Sequence, residues 1–128
     1  MNSYDEMKVK RYTYGVTPYC IQAIVTFVGQ DISVTIGGGN RYHIGAVAIA
    51  TPSESIINPG KTTITTSVMA VLGHKDDVLA KDAAIKLSRH FNTTVTVSVG
   101  VHVDDADILD IEKLLENSKL LVEQIIQH

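Results

Sequence analysis

The stretch that decides the fold is Asp76-Asp77-Val78-Leu79-Ala80-Lys81-Asp82-Ala83-Ala84-Ile85-Lys86-Leu87-Ser88-Arg89-His90-Phe91, followed after two residues by Thr94-Val95-Thr96-Val97-Ser98-Val99-Gly100-Val101. In the first part Leu79, Ala80, Ala83, Ala84, Leu87 and Phe91 recur at steps of three and four, the spacing of one helix face. In the second part almost every residue is β-branched, which favours a strand. The switch of period near Asp76 predicts a helix over 76–91 and a strand over 94–101. Beyond them, Ile108, Ile111, Leu115, Val122 and Ile125 share one face of a second helix over 107–126.

Upstream the pattern is all strand. Segments 8–14 and 19–28 are separated by the turn signal Gly15-Val16-Thr17-Pro18. Ile21, Ala23, Val25 and Phe27 alternate with their neighbours, and Gly29-Gln30-Asp31 reads as a tight hairpin into 32–36. Gly37-Gly38-Gly39-Asn40 reads as a strand break. The apolar run 44–50 predicts a central strand covered on both faces and ended by Thr51-Pro52. After a polar loop over 53–61 comes a strand over 62–72. The expected fold is therefore α/β (α+β): a mixed, largely antiparallel sheet of about six strands with two helices, order βββββαβα.

The chain has 128 residues, the length of a single domain spanning 1–128 that buries roughly two-thirds of its unfolded surface. The net charge of −3 gives no reason to expect nucleic acid or an anionic membrane as partner. No apolar stretch approaches the roughly 20 residues of a membrane span. The polar start Met1-Asn2-Ser3-Tyr4-Asp5-Glu6 does not read as a signal peptide. Cys20 is alone and reads as a small mid-strand core residue. These features fit a cytoplasmic protein.

Topology gathers three motifs at one rim: 37–45, 73–77 and 100–105. The short 53–61 connection makes its flanking strands antiparallel. A helical connection makes 62–72 and 94–101 parallel. Each motif carries a histidine (His43, His74, His102), six of the nine glycines fall there, and both helices begin there. Ligands favour such rims of α/β sheets. The plainer reading is structural: glycines punctuate strand ends, and Asp76, Asp77, Asp104, Asp105 and Asp107 suit helix caps and first turns. No dinucleotide fingerprint, phosphate-binding P-loop, nucleophile elbow or zinc-protease motif is present.

Gly38-Gly39-Asn40-Arg41-Tyr42-His43-Ile44-Gly45-Ala46-Val47-Ala48, Thr65-Thr66-Ser67-Val68, Gly73-His74-Lys75-Asp76-Asp77 and Val101-His102-Val103-Asp104 together resemble the LpdD-like proteins. These are small accessory proteins of UbiD-type gallate and hydroxyarylic acid decarboxylases. The resemblance covers roughly residues 27–111. It implies a fold similar to proteasome assembly chaperones, a homodimer, and a non-enzymatic role in binding reduced prenylated FMN and loading it into a UbiD-type decarboxylase. Carried onto this chain, it makes Gly38, Gly39, Arg41, His43, Gly45, Gly73, His74, Lys75, Asp76, Asp77, His102 and Asp104 the candidate cofactor-binding residues, with none catalytic and no metal. Where the family often has proline before the motif histidine, this chain has Tyr42, a change that bears on loop rigidity and ligand specificity. Two other expectations stand beside this one: a metal-dependent enzyme using His43, His74, His102 and Asp104, and an assembly factor with no small ligand.

Overall fold

The computed structural model describes residues 4–71 and 76–127. Its elements are β1 (Met7–Tyr14), β2 (Ile21–Val28), β3 (Asp31–Gly39), β4 (Ala46–Glu54), β5 (Thr62–Ala70), α1 (Asp76–Phe91), β6 (Val95–His102) and α2 (Ile108–Gln127). They form one six-stranded sheet in the order β1-β2-β3-β6-β4-β5. Only β3 and β6 pair in parallel; the other four pairings are antiparallel. The expected element order and largely antiparallel mixed sheet are both present. The strands over 44–50 and 62–72 are antiparallel as expected, and β5 and β6 run in the same sense with β4 between them.

Both helices lie on one face of the sheet. α1 packs on β4, β5 and β6, and α2 on β1 and β2. The core is the matching alternation of apolar residues. Ile21, Ala23 and Val25 of β2, Ile32, Val34 and Ile36 of β3, Ala46, Ala48 and Ala50 of β4, and Val95, Val97 and Val99 of β6 are buried against Leu79, Ala80, Ala83, Ala84 and Leu87 of α1 and Leu114, Leu121, Val122 and Ile125 of α2. The buried alanines on β4 and α1 are small, which suits close packing of these two elements.

Local chemistry sets the helix ends. Asp107 and Asp110 cap the start of α2 reciprocally: each accepts the other's backbone N–H, at 3.0 and 2.8 Å. α1 ends with Asn92 in the left-handed region (φ 52°) and with the Thr93 N–H donating to the Ser88 carbonyl, a Schellman closure. The buried Ser88 hydroxyl donates back to the Thr93 carbonyl at 2.8 Å. The turn before β2 is tied to α2 by the Asn117 amide, which donates to the Tyr19 carbonyl, and by the Tyr19 hydroxyl, which donates to Asp110 at 2.5 Å.

Five readings of the sequence are corrected. The run 44–50 is central in the sheet but covered on one face only, since Val47 and Ile49 are exposed opposite the helices. Its strand also continues through Thr51 and Pro52 to Glu54. Pro52 pairs with Ile64 of β5 but lies beyond Ala50, where the pairing of β4 with β6 ends, so β4 has only one neighbour there and a missing N–H is tolerated. The three glycines do not break β3; Gly37, Gly38 and Gly39 pair with Gly100, Val101 and His102. Cys20 lies just before β2 rather than within a strand, and is only half-buried. Asp105 caps nothing: it is exposed and in the left-handed region (φ 52°), in the turn between β6 and the Asp107 cap.

Candidate functional site

The rim is where β3 and β6 end side by side and β4 begins. Packing at the glycines explains how the motifs come together. At Gly100 a side chain would collide with the His43 carbonyl, at Gly39 with the His102 carbonyl, and at Gly45 with the Asp76 carboxylate. A side chain at Gly37 would collide with the Tyr42 ring, and one at Gly38 with the Ile21 side chain. Gly39 also has φ +80°, a conformation that suits glycine. The room these glycines leave is thus filled by the protein's own backbone and side chains, which brings β3, the 40–45 loop, α1 and β6 into contact.

His43 and Asp76 are the buried heart of this contact. The His43 Nε2 lies 3.3 Å from Asp76 Oδ2, with the side chains 19% and 6% exposed. Asp76 Oδ1 accepts the backbone N–H of Val101 at 3.2 Å. The first residue of α1 therefore joins the end of β6 to the loop leading into β4. The other edge of the His43 ring, Nδ1, lies 3.3 Å from the Arg41 carbonyl. Both ring nitrogens face acceptor oxygens.

His102 stands beside His43, with ring centroids 6.4 Å apart and planes at 82°. Its Nε2 is 3.0 Å from Asp104 Oδ1, and Asp104 is largely exposed. Asn40 stitches the two strand ends. Its N–H donates to the His102 carbonyl at 2.6 Å, and its side-chain oxygen accepts the Asp104 N–H at 3.0 Å. Tyr42 packs on Gly37 and its hydroxyl donates to Gln22 Oε1 at 3.0 Å. Burial, and secondarily Cys20 nearby, raise the Tyr42 phenol above its ordinary value, so that hydroxyl keeps its proton as a donor.

Of the residues expected at the site, Gly38, Gly39, Arg41, His43, Gly45, Asp76, His102 and Asp104 do converge on the rim. Asp77 follows Asp76 in the first turn of α1. Gly73, His74 and Lys75 lie outside the described residues. Two contributors escaped the sequence reading. Asn40 reads as a turn residue after a glycine run, and Gln22 as one of many exposed strand positions. Among the described residues no group of three histidine, cysteine or carboxylate side chains is placed to share a metal ion.

Two clefts flank the cluster. On the helix side, one of about 310 Å³ is lined by Asp76, His102 and Asp105 with apolar walls from Leu79, Val101 and Leu115. On the open face of the sheet, another of about 260 Å³ lies against Tyr42 and His43. No helix among the described residues is long and apolar enough to cross a membrane.

The chain matches Protein LpdD of Lactiplantibacillus plantarum strain WCFS1 with 28% identity over 89 residues, 67% of this chain and 60% of that protein. It thus spans under two-thirds of the length of that relative. Its fold is similar to that in a crystal structure of a chaperone complex for yeast 20S proteasome assembly, with a TM-score of 0.61, 18% identity, and coverage of 94% of this chain and 93% of that one. Residues 15–128 match the prenylated flavin chaperone LpdD-like domain, rim and both helices included, and the chain therefore belongs to that family.

Proposed function

We propose that this protein binds reduced prenylated FMN at the rim and delivers it, without catalysing a reaction itself, to a UbiD-type aromatic acid decarboxylase in the cytoplasm. The observation that carries this reading is the His43–Asp76–His102 cluster set between two clefts, in a chain of a prenylated flavin chaperone family. A flat tricyclic ring needs apolar walls and polar groups at its edge. The helix-side cleft offers the walls through Leu79, Val101 and Leu115, and the edge groups through Asp76 and His102. A reduced flavin ring carries N–H donors, which suit carboxylate acceptors. His43, with Arg41 beside it, and Asp104 complete the polar border.

Delivery requires a ligand held firmly enough to be shielded and loosely enough to leave. Exposure supports that balance: Tyr42 is 50% exposed and the Asp104 side chain 73%. A homodimer belongs to the same proposal. The open face of the sheet presents Val47, Ile49 and Met69 with no helix over them, an apolar patch that a second copy would cover. The test is anaerobic titration with reduced prenylated FMN, followed by mixing the loaded protein with an apo-decarboxylase of the UbiD type. Binding followed by activation supports the proposal; no binding refutes it.

A further inference from the structure

The open-face cleft has a chemistry of its own. Strand register builds it. Thr13, Gln22 and Gly37 lie side by side across β1, β2 and β3, and Arg11, Ile24 and Thr35 form the next row. Alternation turns all six away from the helices. Tyr42 closes the end of the cleft by packing on Gly37 and bonding Gln22. Because Gln22 accepts the Tyr42 hydroxyl through its oxygen, its amide N–H groups are left to donate. With Thr13, Thr35 and the five N–H groups of Arg11, the cleft is rich in donors.

Its charge is one-sided. Among the described residues no carboxylate lines this cleft, and Arg11 forms no ion pair. The helix-side cleft, by contrast, is lined by the carboxylates of Asp76 and Asp105. An anion at the rim is therefore repelled from the helix side and attracted to the open face. A guanidinium binds phosphate oxygens in a two-pronged geometry. The Tyr42 ring and Ile24 give the cleft an apolar wall beside these donors.

We infer that the cleft between Arg11 and Tyr42 is a subsite for a phosphate monoester, with Arg11 holding the phosphate. Its link to a flavin cargo rests on the function proposed above, in which it would take the phosphate end of the molecule. The anion chemistry itself rests on Arg11 and its surroundings alone.

The experiment titrates wild type, Arg11→Ala, Arg11→Lys and Lys10→Ala by calorimetry. The probes are phenyl phosphate, benzoate and, anaerobically, reduced prenylated FMN. Arg11 is exposed on an edge strand, so its variants keep the fold, which matched melting curves verify. Lys10 serves as control because it faces the other side, over the Phe27 ring. Arg11→Ala is expected to weaken phenyl phosphate and reduced prenylated FMN by roughly ten- to a hundredfold. Arg11→Lys recovers part of the loss, and Lys10→Ala changes nothing. Wild-type affinity in Arg11→Ala, or benzoate bound more tightly than phenyl phosphate, overturns the subsite. Phenyl phosphate held through Arg11 with no flavin bound leaves the subsite standing and refutes the flavin reading. Flavin bound equally by wild type and Arg11→Ala does the reverse. Failure of wild type to bind either probe overturns both.

Discussion

Replacing Asp76 tests the idea that the rim is held together by one buried carboxylate. Its side chain is 6% exposed, so solvent screens its contacts little. Asp76→Ala removes the acceptor for the Val101 N–H and the oxygen 3.3 Å from His43 Nε2. Leaving a buried backbone donor unsatisfied costs about 1–3 kcal/mol, and a contact to a charged acceptor is worth about 1.5–3 kcal/mol. These overlap rather than add fully, because one carboxylate makes both contacts. The expected loss is about 2–4 kcal/mol, which for a domain of this size lowers the melting temperature by about 10 °C. Asp76→Asn keeps an oxygen for Val101 but turns the other arm into a donor facing His43, and should cost about half as much. The assay is thermal and guanidinium unfolding of both variants, with a double-mutant cycle against His43→Ala. The cycle should show a coupling of at least about 0.5 kcal/mol. An Asp76→Ala protein that melts within about 2 °C of wild type, with no coupling to His43, would show that the carboxylate does not hold the rim.

Further outcomes follow from other parts of the structure. Gly100→Ala should cost about 3 kcal/mol or more, or prevent folding, because the new methyl meets the His43 backbone carbonyl. Gly60→Ala, with nothing within 4 Å and a positive φ, should cost only about 1 kcal/mol; melting curves of the two compare them. The Tyr19–Asp110 bond should shape stability at both ends of the pH range. Its hydrogen bond, chiefly, lowers the Asp110 carboxyl below 3.8 and raises the Tyr19 phenol above 10.0. Asp110's contribution is thus full above about 3.8 and lost as pH falls through its lowered folded value. Tyr19's contribution is full below about 10 and lost as pH rises through its raised one. In Tyr19→Phe, denaturation across pH should show both dependences flattened. Met69→Lys, at a position 81% exposed on the apolar half of the open face, tests the proposed homodimer: the wild type should be dimeric in light scattering and the variant a folded monomer.

How far the sequence alone leads depends on the range of the forces involved. The helix over Asp76–Phe91, the β-branched strand after it and the element order are local patterns, and they are legible. The meeting of His43 and His102 at one rim follows from connection lengths and strand sense, which are nearly local. Three features are not. Gly37–Gly39 look like a break, yet they extend β3: Gly37 accommodates the nearby Tyr42 ring, but what Gly38 and Gly39 accommodate belongs to Ile21 and His102, distant in the chain. The run 44–50 looks doubly covered, but whether a second layer exists is decided by where both helices settle, not by the apolarity of the strand. Asp76 looks like a helix cap, and its role as acceptor for Val101, 25 residues on, depends on β6 ending beside α1. The Arg11 cleft was equally hidden, since it needs the register of three strands at once.

The proposed function stands on a single measurable event, transfer of cargo. Wild-type protein is titrated anaerobically with reduced prenylated FMN, separated from excess ligand, and mixed with an apo-decarboxylase of the UbiD type. Stoichiometric binding, followed by decarboxylase activity that rises with the amount of loaded protein added, is the predicted result. A protein that retains no reduced prenylated FMN, or that retains it and leaves the apo-enzyme inactive, would contradict it.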